Sequence, residues 1–121
     1  IVWLNGEMLG KPQDEADARA MLARLSGQTH EVYTAVCFVD RNGELDTLVD
    51  CTKVTFKTLS KEEIDYYVSK YRPLDKAGAY GVQEWIGYVG VTKMEGSYFN
   101  VMGFPICRVY ETLSQLLPSE R

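Results

Sequence analysis

Glu31-Val32-Tyr33-Thr34-Ala35-Val36-Cys37-Phe38-Val39, then Asp40-Arg41-Asn42-Gly43, then Leu45 to Phe56, is the stretch whose reading decides the fold. The first segment is nearly continuous apolar sequence, which suits a strand covered on both faces and central in a sheet. Asp-Arg-Asn-Gly is a turn signal. The alternation at Lys53, Val54, Thr55, Phe56 and Lys57 then makes Leu45 to Phe56 the returning strand of a hairpin.

Helices flank this hairpin on both sides. Upstream, Pro12 leads into Gln13, Asp14, Glu15 and Asp17, which put negative charge in a first helical turn. Ala18, Met21, Leu22 and Leu25 recur at i, i+3, i+4 and i+7, and Gly27 ends the helix near Ser26. Downstream, Ser60 and Glu63 form a capping box; Ile64, Tyr67, Val68 and Tyr71 are the inward stripe, and Pro73 ends the helix. From Leu74 to Pro105 the chain is rich in glycine and aromatic residues, with one strand-like segment from Tyr88 to Lys93. Pro105 opens a last helix with Ile106, Val109, Tyr110 and Leu113 facing in. At the other end Ile1-Val2-Trp3-Leu4 reads as a core strand running into a turn at Asn5-Gly6. Domains seldom begin inside a core strand, so upstream sequence is expected to precede Ile1. With no repeat, linker or low-complexity tract, residues 1–121 read as a single α/β domain.

Composition narrows the function. The hydrophobic and charged fractions, 45% and 25%, are those of a globular protein. A net charge of -4, from 13 basic and 17 acidic residues, supplies no general field for a nucleic-acid backbone. A small anionic ligand met by a few placed cations is favoured over a polymer. Cys37, Cys51 and Cys107 are odd in number and lack a CxxC pattern, which argues against a disulfide framework and a zinc site, and suits a reducing cytoplasm. His30 is the only histidine, which excludes chemistry needing two imidazoles from this chain. No apolar run is long enough to cross a bilayer, and no membrane partner is expected.

Three places could carry chemistry. Leu9-Gly10-Lys11-Pro12 sets a lysine at the mouth of a helix, where an anion would meet an ammonium and free N–H groups; a solvated turn lysine is the alternative. It is not a Walker A loop, since the first glycine and the Ser/Thr after the lysine are missing. Pro73-Leu74-Asp75-Lys76-Ala77-Gly78-Ala79-Tyr80-Gly81-Val82-Gln83 is either a loop folded close to a ligand, with Gln83 reading a base edge, or a packed turn. His30, with Val32 and Thr34 on one side of a strand, is either structural or catalytic, and nothing resembles a Ser-His-Asp or Cys-His arrangement.

In order along the chain, G-E-M-L-G-K-P (6–12), L-S-G-Q-T-H-E-V-Y-T (25–34), V-T-F (54–56), D-K-A-G-A-Y-G-V-Q (75–83) and G-S-Y-F-N-V-M-G-F-P (96–105) resemble the Maf proteins, nucleotide pyrophosphatases named for an effect on septum formation. The resemblance implies a mixed twisted sheet flanked by helices, like that of inosine triphosphate pyrophosphatases, with this chain the C-terminal two-thirds of such a domain. It implies hydrolysis of a nucleoside triphosphate to the monophosphate and pyrophosphate, by water attacking the α-phosphorus with a divalent cation, Mg or Mn, present. The family's general base, an Asp in an Asp-Thr pair, would fall just upstream of Ile1. No catalytic residue and no metal ligand is thus expected within this chain, and residues 1–121 alone should be inactive. Lys11 carries over as a cation on the phosphate or specificity side and Gln83 as a determinant of base choice, with His30, Lys76 and Tyr80 in support. A lysine and a glutamine at these places mark the branch that takes dTTP and UTP. The alternatives are 7-methyl-GTP as substrate, or a non-catalytic nucleotide-binding regulator of cell division. A homodimer is expected by resemblance only. The sequence departs from the family at Glu84-Trp85, where Trp85 would pack on a base or fill the core.

Overall fold

The computed structural model describes residues 1–39, 42, 43, 45–102 and 113. Five strands form one sheet in the order β2-β1-β3-β4-β5, with β1 at Val2–Leu4, β2 at Glu7–Leu9, β3 at Thr29–Val39, β4 at Leu45–Phe56 and β5 at Val91–Glu95. The pairings among them are antiparallel throughout. Helices α1 (Glu15–Leu25), α2 (Lys61–Tyr71), α3 (Trp85–Gly90) and α4 (Tyr98–Met102) complete the expected α/β architecture. Among the described residues no helix is long and apolar enough to cross a membrane.

Local signals account for most of these elements. Asn5 and Gly6, with φ of 50° and 80°, are both left-handed, as a two-residue type I′ turn between β1 and β2 requires. Asp14 caps α1 by accepting from the Asp17 N–H at 2.8 Å, and Ala18, Leu22 and Leu25 are its buried stripe. The capping box of α2 is complete, with Ser60 and Glu63 each accepting from the other's main chain. β3 and β4 pair antiparallel from Thr29↔Thr55 to Val39↔Leu45.

Two expectations are corrected. β3 is not covered on both faces: His30 and Val32 are buried, but Ala35, Cys37 and Val39 are exposed. The main core cluster meets the hairpin at the end that carries His30, Val32, Val54 and Phe56; in the other half Leu48 is buried but stands outside that cluster. Tyr88 to Gly90, read as strand, are helical, and β5 starts only at Val91. Helical period explains this: Ile86 and Gly90, four apart, are both buried, whereas Tyr88 between them is 80% exposed. Of the helix expected from Pro105 only Leu113 is among the described residues; it is helical but 40% exposed and does not face in, and the rest, with Cys107, lies outside them.

The core is Leu22 and Leu25 of α1, Ile64, Tyr67 and Val68 of α2 and Ile86 of α3, packed on Leu4, Val32, Val54 and Phe56 of the sheet. The opposite face of β1, β3 and β4, with Trp3, Glu31 and Lys53, is exposed or half-buried. This one-sided packing leaves a cavity where the end of β1, the middle of β3, the 76–83 loop and α4 meet.

Candidate functional site

The cavity has a volume of about 230 Å³, below the roughly 300–1,000 Å³ of pockets that engulf whole drug-sized ligands, so it suits a small ligand or one part of a larger one. Ile1 and Val2 line one side, Val32 and Thr34 its floor, and Lys76, Tyr80 and Gln83 the loop side. Asn100 of α4 closes it. The sequence readings of Gln83, Lys76 and Tyr80 are thus brought together, with Gln83 exposed at the wall, Lys76 half-buried and Tyr80 buried. Trp85 does not line the cavity; it is half-buried against the core and meets Tyr66 edge-on at 4.9 Å.

The loop is held by what precedes it. The Gly78 N–H donates to the Gly10 carbonyl at 3.0 Å, which ties the Gly-Lys-Pro turn to the loop. Gly78 has φ of 72° and approaches the Val2 side chain so closely that a Cβ would lie 3.2 Å from its methyl groups. Ala79 follows at φ of 63°, a left-handed conformation that costs a non-glycine residue on the order of 1 kcal/mol. Further on, a Cβ on Gly87 would lie 1.8 Å from the Val82 carbonyl oxygen, so α3 can pack under the loop only with glycine there.

Lys11 is exposed and stands outside the cavity lining. The reading of free N–H groups at the mouth of α1 needs correction, because Asp14 caps that end and the Gln13 N–H donates to Asp17 at 2.9 Å. The helix start is acidic, so an anion near Lys11 would have to be met by the ammonium itself. Lys76 reaches Asp75 at 3.2 Å, and this contact holds the Asp75 carboxyl below the usual carboxylate range.

His30 is buried behind Tyr80 and does not reach the cavity surface. Its Nε2 shares a 2.7 Å hydrogen bond with the Tyr80 hydroxyl, and its ring stacks on Phe56 with centroids 5.5 Å apart. Burial pushes its pKa down to about 4, so the ring is neutral at pH 7. Burial likewise raises the Tyr80 hydroxyl well above the usual tyrosine range. His30 is therefore a structural support for Tyr80.

Asn100, quoted only inside a motif, is the residue that sequence reasoning missed. Its Nδ2 donates to the Val32 carbonyl at 3.1 Å and to Thr52 Oγ1 at 3.0 Å. The Thr34 hydroxyl donates to its carbonyl at 3.3 Å, and its own N–H donates to Ser97 Oγ at 3.3 Å. A carbonyl can only accept, so Val32 fixes which amide atom is nitrogen. That leaves the buried Oδ1 without a partner among the described residues. An asparagine in an aromatic-rich run carries no periodic signal that would single it out.

The cavity lining contains no carboxylate and no imidazole. Among the described residues no group of three or more His, Cys, Asp or Glu side chains could hold a metal ion. The arrangement can bind and orient a ligand through an amide, an ammonium and buried acceptors.

The Maf-like protein family matches residues 1–116. The chain is 55% identical over 116 residues to the dTTP/UTP pyrophosphatase of Phocaeicola vulgatus, covering 96% of this chain and 60% of that protein. It is 55% identical over 117 residues to the dTTP/UTP pyrophosphatase of Flavobacterium johnsoniae, covering 97% of this chain and 60% of that protein. To the dTTP/UTP pyrophosphatase of Bacteroides thetaiotaomicron it is 51% identical over 116 residues, again 60% of that protein. The chain thus spans about 60% of the length of these curated relatives.

Proposed function

The chain belongs to the Maf family, and on that premise we propose that it carries the nucleotide-selecting side of a pyrophosphatase that hydrolyses dTTP and UTP to the monophosphate and pyrophosphate. The observation that carries this reading is the cavity with the Gln83 amide at its wall, on the same side as Lys76 and Tyr80. A glutamine amide offers both a donor and an acceptor, the pair needed to meet the alternating carbonyl and N–H edge of uracil or thymine. The names of the relatives support the same substrates.

The triphosphate lies on the Lys76 and Lys11 side, where Lys76 exchanges Asp75 for a phosphate oxygen. Water attacks the α-phosphorus and the α–β anhydride bond breaks, pyrophosphate leaving with the electron pair. The general base is a carboxylate that precedes Ile1 in the longer protein. In support, Ile1 and Tyr33 exchange both main-chain hydrogen bonds at 2.8 Å, so a preceding residue would continue the ladder opposite Thr34, which lines the cavity. The described residues do not provide the ligand set for the divalent cation that the family resemblance implies. A homodimer and a cytoplasmic location belong to the same proposal, by family resemblance.

Pyrophosphate release from dTTP, UTP, CTP and 7-methyl-GTP by the full gene product tests it. Release from dTTP and UTP is expected to exceed that from the other two. Faster release from 7-methyl-GTP would overturn the substrate assignment, and nucleotide binding without release would point to a regulator. Residues 1–121 alone are expected to release none; an ordinary enzymatic rate from them would refute the upstream placement of the base.

A further inference from the structure

Gln83 sits at a corner of a tight turn, and the residues that aim this turn lie on its far side from the cavity. The Glu84 N–H donates to the Gly81 carbonyl at 3.0 Å, closing a four-residue turn with Val82 and Gln83 at its centre. One hydroxyl holds both ends. Tyr67, fully buried in α2, accepts from the Gly81 N–H at 3.1 Å and donates to Glu84 Oε1 at 2.6 Å. The short O–H···O bond is that of a hydroxyl on a carboxylate, the stronger class of hydrogen bond. The Tyr67 ring is in turn fixed by stacking on Tyr71, with centroids 5.2 Å apart.

We propose that Glu84 and Tyr67 are positioning residues for base selection: through the two ends of the 81–84 turn they set the direction in which Gln83 presents its amide to the cavity. This rests on the reading of Gln83 as the base-selecting group. Both side chains close on Gly81, since a Cβ there would lie 2.8 Å from Glu84 Oε1 and 2.8 Å from Lys76 Cε. The same glycine is therefore the place where the Tyr67–Glu84 pair and the cavity-lining Lys76 meet. Glu84 brings a carboxylate under the turn, within reach of a tyrosine hydroxyl that has no other acceptor among the described residues.

The test compares Glu84→Ala, Glu84→Gln, Tyr67→Phe and Gln83→Ala in the full gene product. It reads kcat/KM for UTP over CTP, and amide hydrogen exchange at Gly81 and Glu84. Glu84→Ala and Tyr67→Phe are expected to speed exchange at both amides and to lower the UTP/CTP preference about tenfold, the scale of one misdirected hydrogen bond. Glu84→Gln keeps an acceptor at the same place and should restore most of the preference. A variant that merely loosened the fold would show faster exchange everywhere and no rescue by glutamine, which would overturn the proposal. Unchanged exchange at Gly81 and Glu84 would also overturn it. So would faster exchange with an unchanged preference while Gln83→Ala loses it. If Gln83→Ala itself left the preference intact, the base-selecting reading would fail first and the positioning role with it, a result distinguishable from all the others.

Discussion

His30 and Asn100 lie behind the same cavity, 1% and 0% exposed, and each keeps one buried polar atom, Nδ1 and Oδ1, without a partner among the described residues. They are held in different ways. His30 has one polar contact, to the Tyr80 hydroxyl, and otherwise packs as a ring among Phe56 and Tyr80. Asn100 is tied to β3 through Val32 and Thr34, to β4 through Thr52 and to its own helix through Ser97. The imidazole is filling that happens to be polar, whereas the amide is oriented by main chain. Equal burial therefore does not mean equal involvement in a site; the number of directional anchors separates the two.

The most severe way to break this contrast is Asn100→Asp, which would set a carboxylate oxygen against the Val32 carbonyl, with the Thr52 hydroxyl able to donate to it only by giving up the Ser97 carbonyl. A loss of about 3–5 kcal/mol in denaturant unfolding is expected, the scale of an uncompensated buried charge. A loss below about 1 kcal/mol would show that the amide is not fixed as described. Next comes acid. The His30 pKa is lowered from 6.5 to about 4 in the fold, so the unfolded chain binds the proton first and stability falls as pH drops from about 6.5 toward 4. The contribution is about 3 kcal/mol, since each pH unit between those two values is worth roughly 1.4 kcal/mol. His30→Phe should flatten this part of the stability–pH curve, and an unchanged curve would contradict the burial of the ring. No Asn100 variant that keeps the amide should alter that slope.

Tyr80→Phe sharpens the comparison further by removing the one hydrogen bond His30 has, at an expected cost of about 1–2 kcal/mol by thermal or denaturant unfolding. A neutral result would mean that Nε2 finds another partner. The smallest effect belongs to Arg24→Ala, which breaks the 2.8 Å pair with Glu7 on side chains 44% and 63% exposed. A change within about 1 kcal/mol, shrinking with added salt, is expected there. A larger value would undermine the claim that burial and directional anchoring, not polarity, set these magnitudes.

The readability of the sequence follows the same line. Where one local force acts, the reading holds: the Ser60–Glu63 box, the Asp14 to Leu25 helix and the Leu45 to Phe56 strand stand where spacing and turn chemistry put them. It fails where tertiary contact decides. The apolar run through Cys37 and Val39 gives no hint that the core ends beside Val32, since exposed and covered valines look alike in sequence. Tyr88 to Gly90 mixes glycine with β-branched and aromatic residues and reads as the start of a strand, yet packing of Ile86 and Gly90 makes it the end of a helix. Within the candidate site, Gln83, Lys76 and Tyr80 could be named because they share one loop, while Asn100 comes from a distant segment and is placed by contacts with β3 and β4.

For anyone wishing to change what this cavity accepts, the close approach of Gly87 to the Val82 carbonyl divides the loop into closed and open positions. A mutant library that varies residue 87 would consist mostly of proteins in which the loop or α3 has moved, because even an alanine collides with main chain that cannot step aside. Residue 83, exposed at the wall, can vary in chemistry without a steric toll. Retargeting should therefore hold Gly87 constant and search at 83 together with its underlying 84, treating the two as one coupled design variable.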